Sequence, residues 1–176
     1  MRFYGANMRN FLALMSCLLA ILPFAGVASS NPDAAFFKSA AASGIAEIEA
    51  GRLAESKGSS QRVKDFGAMM VKDHSAANET LQTLAKAKNV ALSFDSSVGQ
   101  MAAKAMLEVL SGSLFDQSYV KNQISAHRQT IALLKKEIAL GLDSDAKAFA
   151  SAALPGLRLH LDAIKTLAAE MGIPTQ

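Results

Sequence analysis

Cysteine, aromatic residues and proline are scarce in this chain. Its 176 residues include one Cys, no Trp, two Tyr and four Pro. One cysteine excludes a disulfide framework, and the aliphatic, alanine-rich remainder favours helices over strands. A glycine-rich phosphate loop, a Cys-x-x-Cys pair and a Gly-x-Ser-x-Gly elbow are also missing, so nucleotide, thiol and serine-hydrolase chemistries have no support.

The first 28 residues differ in kind from the rest. Arg2 and Arg9 precede an apolar run over residues 11–24, and a stretch of small residues follows at 25–30. This order is typical of a secretory signal peptide, so we predict cleavage after Ala28 or Ser29. Met8 is an alternative start. An uncleaved membrane anchor over residues 11–28 is the other interpretation, although the small-residue tail favours cleavage.

The predicted export changes the charge and the expected partners. Loss of residues 1–28 removes two arginines and no acid, so the formal charge falls from +3 to +1. Cys17 leaves with the same segment, and the large Met15 beside it disfavours a lipid-attachment site. The basic pI is therefore mainly a targeting signal, and we predict no nucleic-acid partner. We expect a periplasmic or outer-membrane-associated protein; peripheral envelope association and homo-oligomerisation stay open.

Four long apolar stripes with a helical period follow the signal segment. They span residues 33–57, 61–88, 115–140 and 144–171. Gly58-Ser59-Ser60 separates the first two, and Asp143 or Ser144 is expected to cap the fourth. Pro155 predicts a kink or a new segment inside the last helix. Two long helices joined by a three-residue break run antiparallel.

The connection between the second and third stripes is unusually long. It contains a predicted loop at 89–97, a short helix at 98–110 and a break at Ser111-Gly112-Ser113. The predicted fold class is therefore all-α: a four-helix bundle over residues 33–172, with a long crossover that carries a short extra helix, as in ferritin-like bundles.

Motifs spread over the whole mature chain resemble a known family. They are Phe37, Gly44-Ile45-Ala46-Glu47, Val63-Lys64-Asp65-Phe66, Met70-Val71-Lys72-Asp73-His74, Phe115-Asp116, Tyr119, His127, Leu154-Pro155 and His160. Together they resemble the exported bacterial family called domain of unknown function 4142. The resemblance implies an envelope location, often labelled outer-membrane, and a ferritin-like superfamily fold. It implies no established activity and supplies no catalytic residues.

One polar residue on each long stripe falls near mid-helix. These residues are Glu47, His74, His127 and His160, which include all three histidines of the chain. Counted from the nearest turns they lie 12 to 17 residues along their helices, so at about 1.5 Å per residue they reach a similar depth. The spacing predicts that the four side chains meet in the core.

Two interpretations of this cluster stay open. In the first it is a hydrogen-bonded network that Asp73, Asp116, Tyr119 and Gln123 complete. In the second it is a site for Zn, Fe, Cu or Mn, whose ligands include imidazole and carboxylate groups. A ferritin-type di-iron centre is disfavoured because it needs Glu-x-x-His pairs, and the residues three before the histidines are Val71, Ile124 and Leu157.

The sequence provides no complete catalytic set. The first functional prediction is therefore a non-enzymatic envelope protein with a binding or structural role, and the alternative is a metal-binding or metal-dependent redox protein that uses the Glu/His cluster. A third hypothesis concerns the short helix, whose Met101, Met106 and Leu110 are candidates for a docking surface. As copper ligands the methionines have less support than as adaptable core filler; this applies to Met69, Met70, Met101, Met106 and Met171.

Overall fold

The computed structural model describes residues 31, 33–92 and 97–175. These residues form five α-helices and no strand: α1 Ala34–Lys57, α2 Gln61–Ala87, α3 Val98–Val109, α4 Gly112–Leu140 and α5 Ser144–Glu170. The predicted signal peptide, residues 1–28, and the centre of the predicted loop at 89–97 lie outside the described residues. None of the described helices is long and apolar enough to cross a membrane.

The four long helices pack as two helical hairpins. α1 packs most extensively on α2, and α4 on α5; α1 also contacts α4, and α2 contacts α5. Two glycines let the first pair approach closely. A Cβ atom at Gly51 would lie 2.7 Å from the Gly67 carbonyl oxygen, and one at Gly67 would lie 2.7 Å from the Gly51 oxygen. Larger side chains at these two positions would separate the backbones.

Buried aspartates form hydrogen bonds between the ends of different helices. Asp116, near the start of α4, accepts hydrogen bonds from the Ser59 N–H, the Ser60 N–H and the Ser59 hydroxyl at the start of α2. The starts of α2 and α4 are therefore at the same end, and the two helices run in the same direction. A chain that leaves α2 must travel back along the bundle to begin α4, which explains the long connection that contains α3.

A second acid has the same role at the other end. Asp33 accepts hydrogen bonds from the N–H groups of Leu142 and Asp143, just before α5. Asp143 caps α5 through the N–H groups of Asp145 and Ala146, which confirms the predicted cap. At the start of α2 the Ser60 side chain makes no capping bond. Asp116 from another helix supplies that cap instead.

Three local predictions differ from the structure. α4 begins at Gly112, whose φ of +58° favours glycine, so the second break ends before Ser113. α5 continues through Pro155, so no new segment begins there, and the alternative of a kink at Pro155 stays a prediction. Pro155 and Ser151, four residues earlier, are both exposed, so water can bond the Ser151 carbonyl that proline leaves unpaired. Leu110 packs against the core rather than facing solvent, whereas Met101 and Met106 are exposed.

The apolar core has two parts, one towards each end of the bundle. The part near the α1–α2 turn contains Phe66, Phe115 and Tyr119, and the part near the α4–α5 turn contains Phe37, Leu81 and Leu134. At about 25 cal/mol per Å² such burial is the main stabilising term of the fold. Between the two parts lies a layer of buried polar side chains.

Candidate metal centre

Three helices each place one histidine in this layer. His74 lies on α2, His127 on α4 and His160 on α5. Each occupies an apolar seam, so the same helical period that buries the neighbouring core residues turns the imidazole inward. The ring centroids form a nearly equilateral triangle with sides of 5.8, 5.8 and 5.6 Å. The structure thus brings together the three histidines that the sequence placed at one depth.

The ring nitrogens face a common point. Each histidine offers a nitrogen within 4.8 Å of those of the other two. Within the described ranges, His74 Nε2, His127 Nε2 and His160 Nδ1 are buried and have no hydrogen-bond partner. Buried polar atoms are normally satisfied, so three such nitrogens on neighbouring histidines make this cluster the candidate metal centre.

The opposite nitrogens of two histidines are already bonded. His127 Nδ1 donates to the Gln123 carbonyl oxygen at 2.9 Å, and His160 Nε2 lies 3.0 Å from Asp73 Oδ2. Carbonyl and carboxylate oxygens accept, so these ring nitrogens carry the hydrogen and leave a lone pair on His127 Nε2 and His160 Nδ1. Metal-binding histidines typically show this arrangement, in which an outer partner fixes the tautomer.

Burial keeps two of the imidazoles neutral. Burial, together with smaller effects of the nearby His127 and His160, lowers the pKa of His74 to about 3. Burial also lowers the pKa of His127 to about 4, with His160 adding to this effect and the bond to the Gln123 carbonyl opposing it. Neutral imidazole is the form that binds metals. At neutral pH these two rings therefore carry no extra proton that a metal ion would have to displace.

Glu47 lies beside the triangle rather than in it. Its side chain is buried, and its Oε1 is 3.9 Å from His127 Nδ1, the nitrogen that donates to Gln123. It is not in the group of three histidines whose ligand atoms converge. Burial raises the pKa of Glu47 to about 7, and the nearby Gln123 side chain partly offsets this rise. Its role as a ligand stays a prediction.

The hydrogen-bonded network predicted from the sequence is present only in part. Asp73 does bond His160, but Asp116 serves the distant α1–α2 turn. In the part of the chain that the structure describes, the Tyr119 hydroxyl and the side-chain amide of Gln123 have no partner of regular geometry. Among the described residues, several side chains of the central polar layer therefore have no protein partner.

The triangle has a size that suits a transition-metal ion. Zn–N bonds are about 2.0–2.1 Å, which places tetrahedral nitrogens about 3.3 Å apart. The 4.8 Å limit on the nitrogen separations is larger, so small side-chain rotations are needed to close the site. Three imidazole ligands suit Zn²⁺, Cu²⁺, Fe²⁺ or Ni²⁺ better than Mn²⁺, which prefers oxygen ligands.

Fold and site together define an all-helical protein with three histidines close enough to hold a metal ion. The family model described as Domain of unknown function (DUF4142) matches residues 23–167, and the chain belongs to this family. The resemblance seen in the sequence is thereby confirmed. No curated protein and no solved structure gave a match. Family membership assigns no activity, so function must be argued from the site.

Proposed function

We propose that this protein binds one divalent transition-metal ion through His74, His127 and His160. The observation that carries the proposal is the close approach of three histidines, which bring one nitrogen each to within 4.8 Å of the others and each have a buried ring nitrogen without a protein partner. A buried polar atom without a partner costs about 1–3 kcal/mol, and an ion would supply all three partners at once. Zn²⁺ or Cu²⁺ fits this donor set best.

Two carboxyl groups support the proposed charge balance. Asp73 bonds the outer nitrogen of His160, and Glu47 lies 3.9 Å from the outer nitrogen of His127. A buried divalent cation needs compensating negative charge nearby. We therefore place Asp73 and Glu47 as outer partners that orient and polarise the ligands.

The wider role we propose is non-enzymatic binding in the cell envelope, in a four-helix bundle of ferritin-like topology. The layout of residues 1–28 supports export, and the shared direction of α2 and α4 supports the topology. Fractionation of a bacterial host, with the mass of the mature chain, tests the location. A chain that starts at Ser29 or Ser30 in the periplasmic or membrane fraction is expected; an uncleaved cytoplasmic chain contradicts it.

Metal titration of the purified protein tests the site. We expect one Zn²⁺ or Co²⁺ per chain, and a loss of affinity of at least about 100-fold in His127→Ala, since even outer partners contribute 10–100-fold. Asp116→Asn is the matched control, because it changes a buried polar residue of the same helix outside the cluster. Wild-type protein without stoichiometric metal, or a His127→Ala variant with unchanged affinity, contradicts the proposal.

A further inference from the structure

A cavity between α2 and α5 lies against one side of the histidine triangle. Its volume is about 340 Å³, and it is lined in part by His74 and His160. A cavity of similar volume, about 330 Å³, lies between α1, α3 and α4 and is lined by Glu47 and Gln123, but by none of the three histidines. The α2–α5 cavity is therefore the approach to the proposed metal.

The walls of this cavity are small and mostly apolar. Alanine and glycine residues form much of the lining, and Leu134, Phe149 and Leu157 add larger apolar surface. Asp73 is the one acid among the lining residues, and no Lys or Arg is among them. The cavity thus offers contact to an apolar body and gives no cationic partner to an anion.

The metal itself would have room for another ligand. The group of described residues that converges on the site supplies three nitrogens, one from each histidine. Zinc sites with three protein ligands keep a fourth position for water or an exchangeable ligand, whereas structural sites fill all four with side chains. A three-histidine centre next to a cavity matches the first kind.

We propose that this cavity binds a small, neutral, nitrogen-containing heteroaromatic molecule whose ring nitrogen becomes the fourth metal ligand. The inference rests on the proposed metal site. Apolar walls and Phe149 favour a flat apolar ring. The ion attracts a carboxylate, but Asp73 repels it and the apolar walls remove its hydration, and no Lys or Arg of the lining offsets these two costs.

Ligand titrations of the Co²⁺-loaded full chain test this inference, with pyridine as the neutral probe and acetate as the anionic one. Pyridine should change the visible Co²⁺ spectrum in a saturable way, and acetate at equal concentration should not. Ala152 is exposed and lines the cavity, so Ala152→Phe should narrow the entrance and weaken pyridine binding about tenfold or more. Co²⁺ affinity should stay unchanged.

Ala169→Phe is the matched control, since it places the same side chain at an exposed position of the same helix outside the cavity. It should bind pyridine like the wild type. A spectrum unaffected by pyridine, equal responses to both probes, or an Ala152→Phe variant that binds pyridine normally overturns the inference while leaving the metal site intact. Failure of Co²⁺ itself to bind is a separate result, which overturns the proposed function and this inference together.

Discussion

Asp116 and His127 lie on the same helix and are buried to a similar extent, yet their surroundings differ. Asp116 is 2% exposed and His127 is 1% exposed. Asp116 accepts three hydrogen bonds from the α1–α2 turn, at 2.6–2.9 Å. His127 uses one ring nitrogen for a backbone bond and directs the other at two more histidines without a partner. The bonds of Asp116 are supplied by the chain, whereas the second ring nitrogen of His127 has no partner among the described residues.

This difference separates structural polar groups from candidate binding groups. A buried polar residue whose hydrogen bonds are all supplied by the protein stabilises the fold, and its removal leaves its partners without a hydrogen bond. Buried groups without partners reduce stability unless a ligand satisfies them. The comparison predicts that apolar substitutions lower the free energy of unfolding at Asp116 and raise it, at acidic pH and without metal, in the histidine cluster.

Asp116→Ala should give the largest loss of stability. It leaves the N–H groups of Ser59 and Ser60 without their charged acceptor, and we expect a loss of about 3 kcal/mol in the free energy of unfolding. Urea denaturation measures it. Asp65→Ala on the exposed face of α2 is the control and should change stability by less than about 0.5 kcal/mol. Equal losses in the two variants would show that the Asp116 bonds are not structural.

His74→Leu should raise the free energy of unfolding of the metal-free protein at acidic pH. The folded pKa of His74 is about 3, below the ordinary value of 6.5. The unfolded chain therefore binds a proton first, and the wild type loses stability as the pH falls below about 6.5. Leucine cannot be charged, so the variant should gain about 2 kcal/mol over the wild type between pH 6.5 and pH 5.

Other titrating groups do not change this difference. Burial raises the pKa of Glu47 and of Glu137 to about 7, and this opposes the histidine effect because the folded state then holds the extra proton. Both glutamates are present in wild type and variant, so their contributions largely cancel in the comparison. Unfolding curves with a chelator from pH 7.5 to 5 provide the measurement, and Thr166→Leu on exposed α5 surface is the control. Parallel pH profiles for wild type and His74→Leu would contradict burial of a neutral imidazole.

Asp73→Asn should have the smallest effect and should act on metal affinity rather than on stability. Asp73 is partly exposed and touches the site only through His160 Nε2. Loss of the carboxylate charge should weaken Zn²⁺ binding about tenfold, with the free energy of unfolding unchanged within about 0.5 kcal/mol. Glu79→Gln, the same change at another exposed position of α2, should leave both quantities unchanged. An equal loss of affinity in both variants would show that the effect comes from the change in net charge and not from the bond to His160.

Helical period predicted most of the fold from the sequence. The ends of α1 and α2 fall within one residue of the expected positions, because Gly58 and the polar residues around Asn89 interrupt the apolar stripes. The same counting of turns placed the three histidines at one depth. These features depend on local sequence and on the fixed rise of a helix.

Interactions between distant helices escaped prediction. Asp116 bonds a turn more than 50 residues away in the chain, and no local pattern reveals that partner. The position of Glu47 behind His127 depends on side-chain rotamers and not on spacing. The α2–α5 cavity could not be predicted either, because it is lined largely by alanines. In a sequence, alanine indicates a helix but not the space that its small side chain leaves between helices.

X-ray absorption at the metal edge of Zn²⁺-loaded protein tests the central claim most directly. The structure predicts a first shell that contains three imidazole nitrogens at about 2.0–2.1 Å, and a His127→Ala sample that no longer shows this shell. An oxygen-only shell, or a wild-type spectrum that persists in His127→Ala, would place the metal elsewhere and contradict the proposed histidine centre.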